Sequence, residues 1–236
     1  GAITRSRLAF RGFDGALAVH ISVALEGMEF TLPLIYPITD KELARKANHF
    51  SILKELVRGG ARFVQLRDKS TPIQEFLPDL RQCVEFASQK GVTLIVNDRC
   101  DLVLCSDAMG VHLGQEDLPP KAARTLLGRT KIIGFSTHSL SQVQKSSHLP
   151  IQYIGFGPVY ATSTKDDPPP AVGLQHLTRA CKAASMPVVA IGGIGLNQVR
   201  EVLDAGASSV AIISALMQAK NLALQMQRFL EKSREK

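Results

Sequence analysis

The stretch VTLIVNDRCDLVLCSDAMGVHL, residues 92–113, decides the fold. It opens on a nearly continuous apolar run, VTLIVN (92–97). Such a run suits a strand of a parallel sheet covered on its outer face better than a half-exposed strand of alternating polarity. The run ends on the polar pair Asn97 and Asp98, and only a short helix around 100–106 fits before the next run, MGVHL (109–113). That second run ends at His112, with Gln115 and Asp117 just beyond it.

Working outward, the same unit recurs. LPLIYPI (32–38) and RFVQLR (62–67) come before it; KIIGF (131–135), IQYIGF (151–156), PVVAI (187–191) and SSVAII (208–213) come after. Helix-like stretches fill the gaps. Residues 48–58 place Phe50, Leu53 and Val57 on one face and stop at Gly59 and Gly60. Residues 72–90 start with Pro72 near the first helical position and stop at Gly91. Further helices are expected over 117–127, 139–147, 174–185, 196–205 and 215–232. Eight strands, each followed by a helix, within about 200 residues predict an α/β fold of the (β/α)8 barrel type. A doubly wound open sheet is the alternative. Strand count favours the barrel, and so does the gathering of polar residues where the apolar runs end, because a barrel brings all its strand ends around one pocket.

Residues 31–236 read as one domain. The DDPPP stretch (166–170) is a loop rather than a boundary, since the strand–helix alternation resumes after it; its prolines suggest a lid over the pocket. Residues 1–30 read as an N-terminal extension. Arg5, Arg7 and Arg11 precede the first acid, Asp14, which has the flavour of a transit peptide. A floppy extension or a remnant of expression fits as well. Ala16–Leu25 is apolar enough for a short helix packed on the outside.

The chain has 236 residues, with 28 basic against 21 acidic and a formal net charge of +7. With 45% hydrophobic residues it can bury a real core, which excludes general disorder. No apolar run approaches the roughly 18–20 residues of a membrane helix. Cys83, Cys100, Cys105 and Cys181 form no CxxC pair, so they read as reduced core thiols of an intracellular, cytoplasmic protein. The positive balance points to small anionic ligands rather than nucleic acid: tryptophan is absent, aromatics are 6%, and the basic residues are scattered. The sequence leaves oligomeric state open, a homo-oligomer included.

Three groups at the strand ends could carry chemistry. AIGGIG (190–195) and AIISAL (211–216) close the seventh and eighth runs, where barrel enzymes often hold a phosphate on backbone N–H groups. The plainer reading is a tight turn made by Gly192, Gly193 and Gly195; Gln198 breaks any GxGxxG pattern. Asp98 and Asp117 follow neighbouring strands, and two carboxylates without a Cys or His cluster suit a hard ion such as Mg2+. The plainer readings are a helix cap for Asp117, a loop salt bridge for Asp98, and a cap of the short helix for nearby Asp101. Arg67 and Lys69, one residue apart, point the same way in extended chain, and Lys165 arrives from the sixth run. Three cations and Mg2+ around one pocket would neutralise a diphosphate. His112 and His138 read as hydrogen-bonding residues, and no Ser-His-Asp arrangement is specified.

Taken together, YPITD (36–40), VQLRDK (64–69), NDRCDL (97–102), GVHLGQED (110–117), GFSTHS (134–139), YIGFGPVYATSTK (153–165), AIGGI (190–194) and the Ile213-Ser214 region resemble the thiamine-phosphate synthase family. The resemblance runs from about residue 32 to 220 and implies a (β/α)8 barrel. It implies a transferase joining 4-amino-5-hydroxymethyl-2-methylpyrimidine diphosphate to 4-methyl-5-(2-phosphoethyl)thiazole. Carried over by motif, Asp98 and Asp117 would ligate Mg2+. Arg67, Lys69, Asn97, Ser136 and Lys165 would hold the diphosphate, and Gln65, His112 and Gly114 would border the pyrimidine. Thr162, Thr164, Gly193, Ile213 and Ser214 would hold the thiazole phosphate. The catalytic contribution would come from Arg67, Lys69, Ser136 and Lys165. The same barrel also serves TenI-like thiazole tautomerases and regulatory paralogues, in which His138 would matter more than the aspartates. A non-catalytic phosphate-binding module is a further alternative.

Overall fold

The computed structural model describes residues 21–25, 28–162 and 170–235. Eight parallel strands close a barrel: β3 (Ile35–Thr39), β4 (Phe63–Leu66), β5 (Thr93–Asn97), β6 (Gly110–Leu113), β7 (Ile132–Thr137), β8 (Tyr153–Phe156), β9 (Val188–Ala190) and β10 (Ser209–Ile212). Closure is made by β10, which pairs with β9 through Val210↔Ala190 and with β3 through Val210↔Ile35. That pairing excludes the open doubly wound sheet.

Ahead of the barrel, β1 (Ile21–Leu25) and β2 (Met28–Leu32) form a separate antiparallel hairpin in the register Ile21↔Leu32. This corrects the helix expected over 16–25: residues 21–25 are extended, and 16–20 lie outside the described residues. The run ISVAL is equally apolar in either state, and the backbone pairing with MEFTL decides it. The boundary expected at residue 30 falls inside β2. The arginine-rich start of the chain also lies outside the described residues.

The helices are α1 (His49–Arg58), α2 (Ile73–Gln89), α3 (Cys100–Ser106), α4 (Pro120–Leu127), α5 (Leu140–Ser146), α6 (Gly173–Ala183), α7 (Val199–Asp204), α8 (Ser214–Met217) and α9 (Leu222–Arg234). A 3-10 turn at Leu196–Gln198 leads into α7. Among the described residues no helix is long and apolar enough to cross a membrane.

Local differences from expectation are few. The buried face of α1 is His49, Ile52, Leu53 and Leu56, with Phe50 and Val57 only packed along its margin. Helix α4 begins at Pro120, because the two prolines 119 and 120 suit the first helical positions and lack the N–H an interior residue would need. Asp117 is therefore not its cap. The single helix expected over 215–232 is two: α8 ends at Met217 with Gln218 as its C-cap, and the Asn221 side chain starts α9 by accepting from Leu224 N–H at 3.0 Å. Asp101 sits inside the first turn of α3 and pairs with Arg99, Nε to Oδ1 at 2.8 Å. Among the cysteines, all four are free thiols, but Cys105 is exposed rather than core.

Two apolar layers result. The larger lies between strands and helices and includes Val64, Val96, Val111, Ile133 and Ile154 from the outward strand faces. The smaller fills the barrel: Tyr36, Ile38, Phe63, Ile95, Ile132, Tyr153, Val189 and Ala211, joined by Leu32 from the end of β2. Tyr36 and Phe63 meet edge to face at 4.7 Å between centroids. Side chains thus fill the interior, and in barrels of this kind active sites form at the rim where the strands end.

Candidate active site

The rim is built strand by strand. Gln65, on β4, is buried, and its Nε2 donates to the Tyr36 hydroxyl at 2.9 Å. The Tyr36 and Tyr153 hydroxyls lie 2.9 Å apart, and Tyr153 continues to His112 Nδ1 at 3.1 Å. His112 Nε2 then meets Ser136 Oγ at 2.9 Å. One hydrogen-bonded line therefore runs from Gln65 through two buried tyrosines to His112 and Ser136. Burial holds both phenols above their ordinary pKa, so they remain O–H groups able to donate and accept.

Beside this line stand the carboxylates. Asp98 follows β5 in a left-handed conformation, φ 65°, with its N–H bonded to the His112 carbonyl at 2.8 Å. Its side chain forms an ion pair with Lys69, which follows β4. Asp117 accepts from the Gly114 N–H at 2.6 Å. Burial raises the Asp117 pKa, the neighbouring Asp98 raises it further, and the Gly114 N–H and Lys69 pull the other way. The two carboxylates therefore sense one another across adjacent strands. Asn97 lies at the end of β5, in register with His112 on β6.

Arg67 parts company with Lys69. Its guanidinium reaches back to Asp40 Oδ2 at 2.7 Å, at the end of β3, whereas Lys69 reaches forward to β5. The common direction expected of these two side chains is not kept, because each has an aspartate on a different neighbouring strand.

A cavity opens next to this cluster. Its lining includes Arg67, Ser136, His138, Thr162, Gly192, Gly193, Ile213 and Ser214. Gly193 stands at φ 64°, and a Cβ there would lie 2.3 Å from the Ala161 carbonyl oxygen. The glycines do make a tight turn, and that same turn brings the chain after β9 against the loop after β8, forming the cavity wall. Arg67 and Ser136 thus stand between the carboxylate cluster and the glycine wall. Thr164 and Lys165, with the prolines at 168 and 169, lie outside the described residues.

Residues 35–216 match the family model described as thiamine monophosphate synthase. The chain belongs to that family. It is 39% identical over 189 residues to a thiamine-phosphate synthase of Syntrophomonas wolfei, covering 80% of this chain and 90% of the relative. It is 40% identical over 187 residues to that of Albidiferax ferrireducens, covering 79% and 85%. A solved thiamine phosphate pyrophosphorylase from Pyrococcus furiosus superposes with a TM-score of 0.77 at 31% identity, covering 84% of this chain and 94% of that one. The chain is accordingly an enzyme with the barrel of the thiamine monophosphate synthase family.

Within this family member the sequence reading missed the supporting residues. Asp40 ends the first barrel strand, and the rule that polar residues gather at strand ends would have found it. The buried pair His49 and Asp68 gives no such signal. His49 Nε2 lies 3.0 Å from Asp68 Oδ2 and His49 Nδ1 lies 2.7 Å from Thr39 Oγ1. Burial alone would raise the Asp68 pKa, but donors from Thr71, His49 and Ser70 outweigh it and bring it from 3.8 to about 2. The unfolded chain therefore binds this proton first as acid is added. Asp68 should contribute its full stability above the ordinary carboxylate range and lose it as pH falls through 3.8 toward about 2. Urea midpoints measured from pH 6 downward should show the gap between the parent protein and Asp68→Asn narrowing below about pH 4. A gap independent of pH would contradict the assignment.

Proposed function

We propose that this chain condenses 4-amino-5-hydroxymethyl-2-methylpyrimidine diphosphate with 4-methyl-5-(2-phosphoethyl)thiazole to give thiamine phosphate and diphosphate. The observation that carries this reading is a rim whose polar groups fall into two clusters. Lys69, Asp98 and Asp117 gather on one side, Thr162, Gly193 and Ser214 on the other, with Arg67 and Ser136 between. Two phosphorylated substrates meeting head to head need such an arrangement.

In this reading Arg67, Lys69, Asn97, Ser136 and, from the motif, Lys165 hold the diphosphate. Gln65, His112 and Gly114 border the pyrimidine. Thr162, Gly193, Ile213 and Ser214, with Thr164 from the motif, hold the thiazole phosphate. Asp98 and Asp117 offer hard oxygen donors side by side, a set that fits Mg2+, which takes one or two protein carboxylates and fills its other positions with water and phosphate oxygens. When bound there, Mg2+ supplies charge neutralisation to the departing diphosphate.

The chemistry asks little else of the protein. The C–O bond breaks and diphosphate leaves with the electron pair, while the aminopyrimidine donates electron density to the methylene carbon. The thiazole nitrogen then forms the new C–N bond. Negative charge grows on the leaving group, so fixed cations such as Arg67 and Lys69 stabilise the transition state more than the ground state. The remaining groups orient the two substrates. No protein nucleophile is required.

A coupled assay for diphosphate release tests this reading. Release is expected only with both substrates and Mg2+ present; its absence from well-folded protein would overturn the proposal. One observation favours a second reading. His138 lines the cavity, and its Nδ1 donates to the Gly157 carbonyl 2.7 Å away, so that in the neutral ring the lone pair lies on Nε2. A TenI-like thiazole tautomerase would use such a base. Interconversion of thiazole carboxylate phosphate isomers, abolished by His138→Asn, would support that second reading.

A further inference from the structure

We propose that the buried chain Thr39–His49–Asp68 is a positioning device for diphosphate binding, pinning from behind the loop that displays Arg67 and Lys69. This inference rests on the reading above, in which those two cations bind diphosphate. A carboxylate lying in sequence between two such cations would, if it faced the rim, compete with the substrate for them. Asp68 is turned away instead, with its side chain 2% exposed. There it accepts from Thr71 N–H at 2.8 Å, Thr71 Oγ1 at 2.6 Å and Ser70 N–H at 3.0 Å, closing the chain after Lys69 into a tight turn. Lys41 is the further cation near it, at 3.9 Å.

His49 ties this turn to the scaffold. It opens α1 and is fully buried. Its own N–H and that of Phe50 are held by the Asp79 carboxylate of α2, at 2.7 and 3.0 Å. Its ring spans Asp68 and Thr39, and Thr39 Oγ1 also accepts the Arg67 N–H at 3.3 Å. One arrangement of protons satisfies every group: Nε2–H donates to Asp68, and the Thr39 hydroxyl donates to Nδ1 while accepting from Arg67. The loop is thereby fixed at both of its substrate-facing positions. Arg67 is tied to the end of β3 through its backbone and through Asp40, and Lys69 is framed by the Asp68 turn. His49 and Asp68 act through their neighbours and are positioning residues.

A merely structural pair would change stability and leave ligand affinities in the folded protein alone. The test is calorimetric binding of inorganic diphosphate, with Mg2+, to the full chain carrying Asp68→Asn, His49→Ala or His49→Gln, beside steady-state kinetics. Asp68→Asn and His49→Ala should weaken diphosphate binding about ten-fold or more, as expected for losing hydrogen bonds to a charged group. KM for the pyrimidine diphosphate should rise in parallel, while KM for the thiazole phosphate stays within two-fold, roughly the level of noise in such energies. His49→Gln, which returns a donor toward Asp68, should recover most of the loss. Folded variants with unchanged diphosphate affinity, or with both KM values raised equally, overturn the inference. If His49→Ala does not fold, Asp68→Asn and His49→Gln carry the same comparison. A parent protein that fails to bind diphosphate would remove the reading above and this inference with it, whereas a parent that binds it equally with its variants removes this inference alone.

Discussion

Replacing Asp98 by asparagine is expected to lower kcat/KM for the transferase reaction by about a thousand-fold, roughly 4 kcal/mol of transition-state stabilisation, with the thermal unfolding curve left in place. The choice of asparagine matters. Asp98 stands at φ 65°, and asparagine is the other non-glycine residue that visits this region readily. It keeps the backbone bond to the His112 carbonyl and removes only the charge. Alanine would add backbone strain and confuse the result. Without its charge the residue no longer offers a hard anionic donor beside Asp117, and Lys69 loses the partner that holds it at the rim. Steady-state kinetics over a range of Mg2+ concentrations, with a melting curve as control, would measure the effect. Activity within ten-fold of the parent would sink the role assigned to the carboxylate pair.

Gly193→Ala should produce the largest combined loss. A Cβ at this position would sit 2.3 Å from the Ala161 carbonyl and 2.9 Å from Tyr160, both on a neighbouring loop whose backbone has little room to yield. The residue is also at φ 64°, which costs an alanine about 1–2 kcal/mol, and overpacking adds roughly 1–3 more. A fall in melting temperature on the order of 10 °C follows for a chain of this size. In protein that remains folded, the cavity wall is displaced, so KM for the thiazole phosphate should rise more than KM for the pyrimidine diphosphate. Gly91→Ala is the control. Its φ is 62°, yet nothing lies within 4 Å of the added carbon, so it carries the strain without the clash. Equal destabilisation by the two substitutions would show that close approach is not what requires glycine at 193.

The barrel was readable because its strands are buried on both faces and so appear as unbroken apolar runs. VTLIVN and IQYIGF leave little room for another assignment. Ends were harder. The start of α4 depends on two prolines, and the break before α9 on one asparagine side chain. The hairpin was misread because ISVAL has no period that separates helix from strand, and its partner decides. Of the rim, Asp98, Asp117, Arg67 and Ser136 were visible as polar residues following apolar runs. The line from Gln65 through Tyr36 and Tyr153 to His112 was not, because those tyrosines read as core until their hydroxyls are seen to meet. His49 and Asp68 were hidden for the same reason: a buried polar pair is defined by contacts between residues far apart in sequence.

The order of the strands around the rim has a consequence for how such an enzyme can change. In the proposed reading, the described residues assigned to the pyrimidine diphosphate come from one length of chain, Gln65 to Ser136, spanning β4 to β7, and Lys165 is the one residue assigned to it from beyond β8. Those assigned to the thiazole phosphate come from a second length, Thr162 to Ser214, spanning the loop after β8 to the start of α8. In that reading each substrate is met mainly by its own arc of the ring, with Lys165 alone crossing from the second arc to the first substrate. A recombination joining two such barrels between β7 and β8 would exchange the thiazole-side arc as a block, and would keep the pyrimidine side intact where the incoming half also carries a lysine at 165.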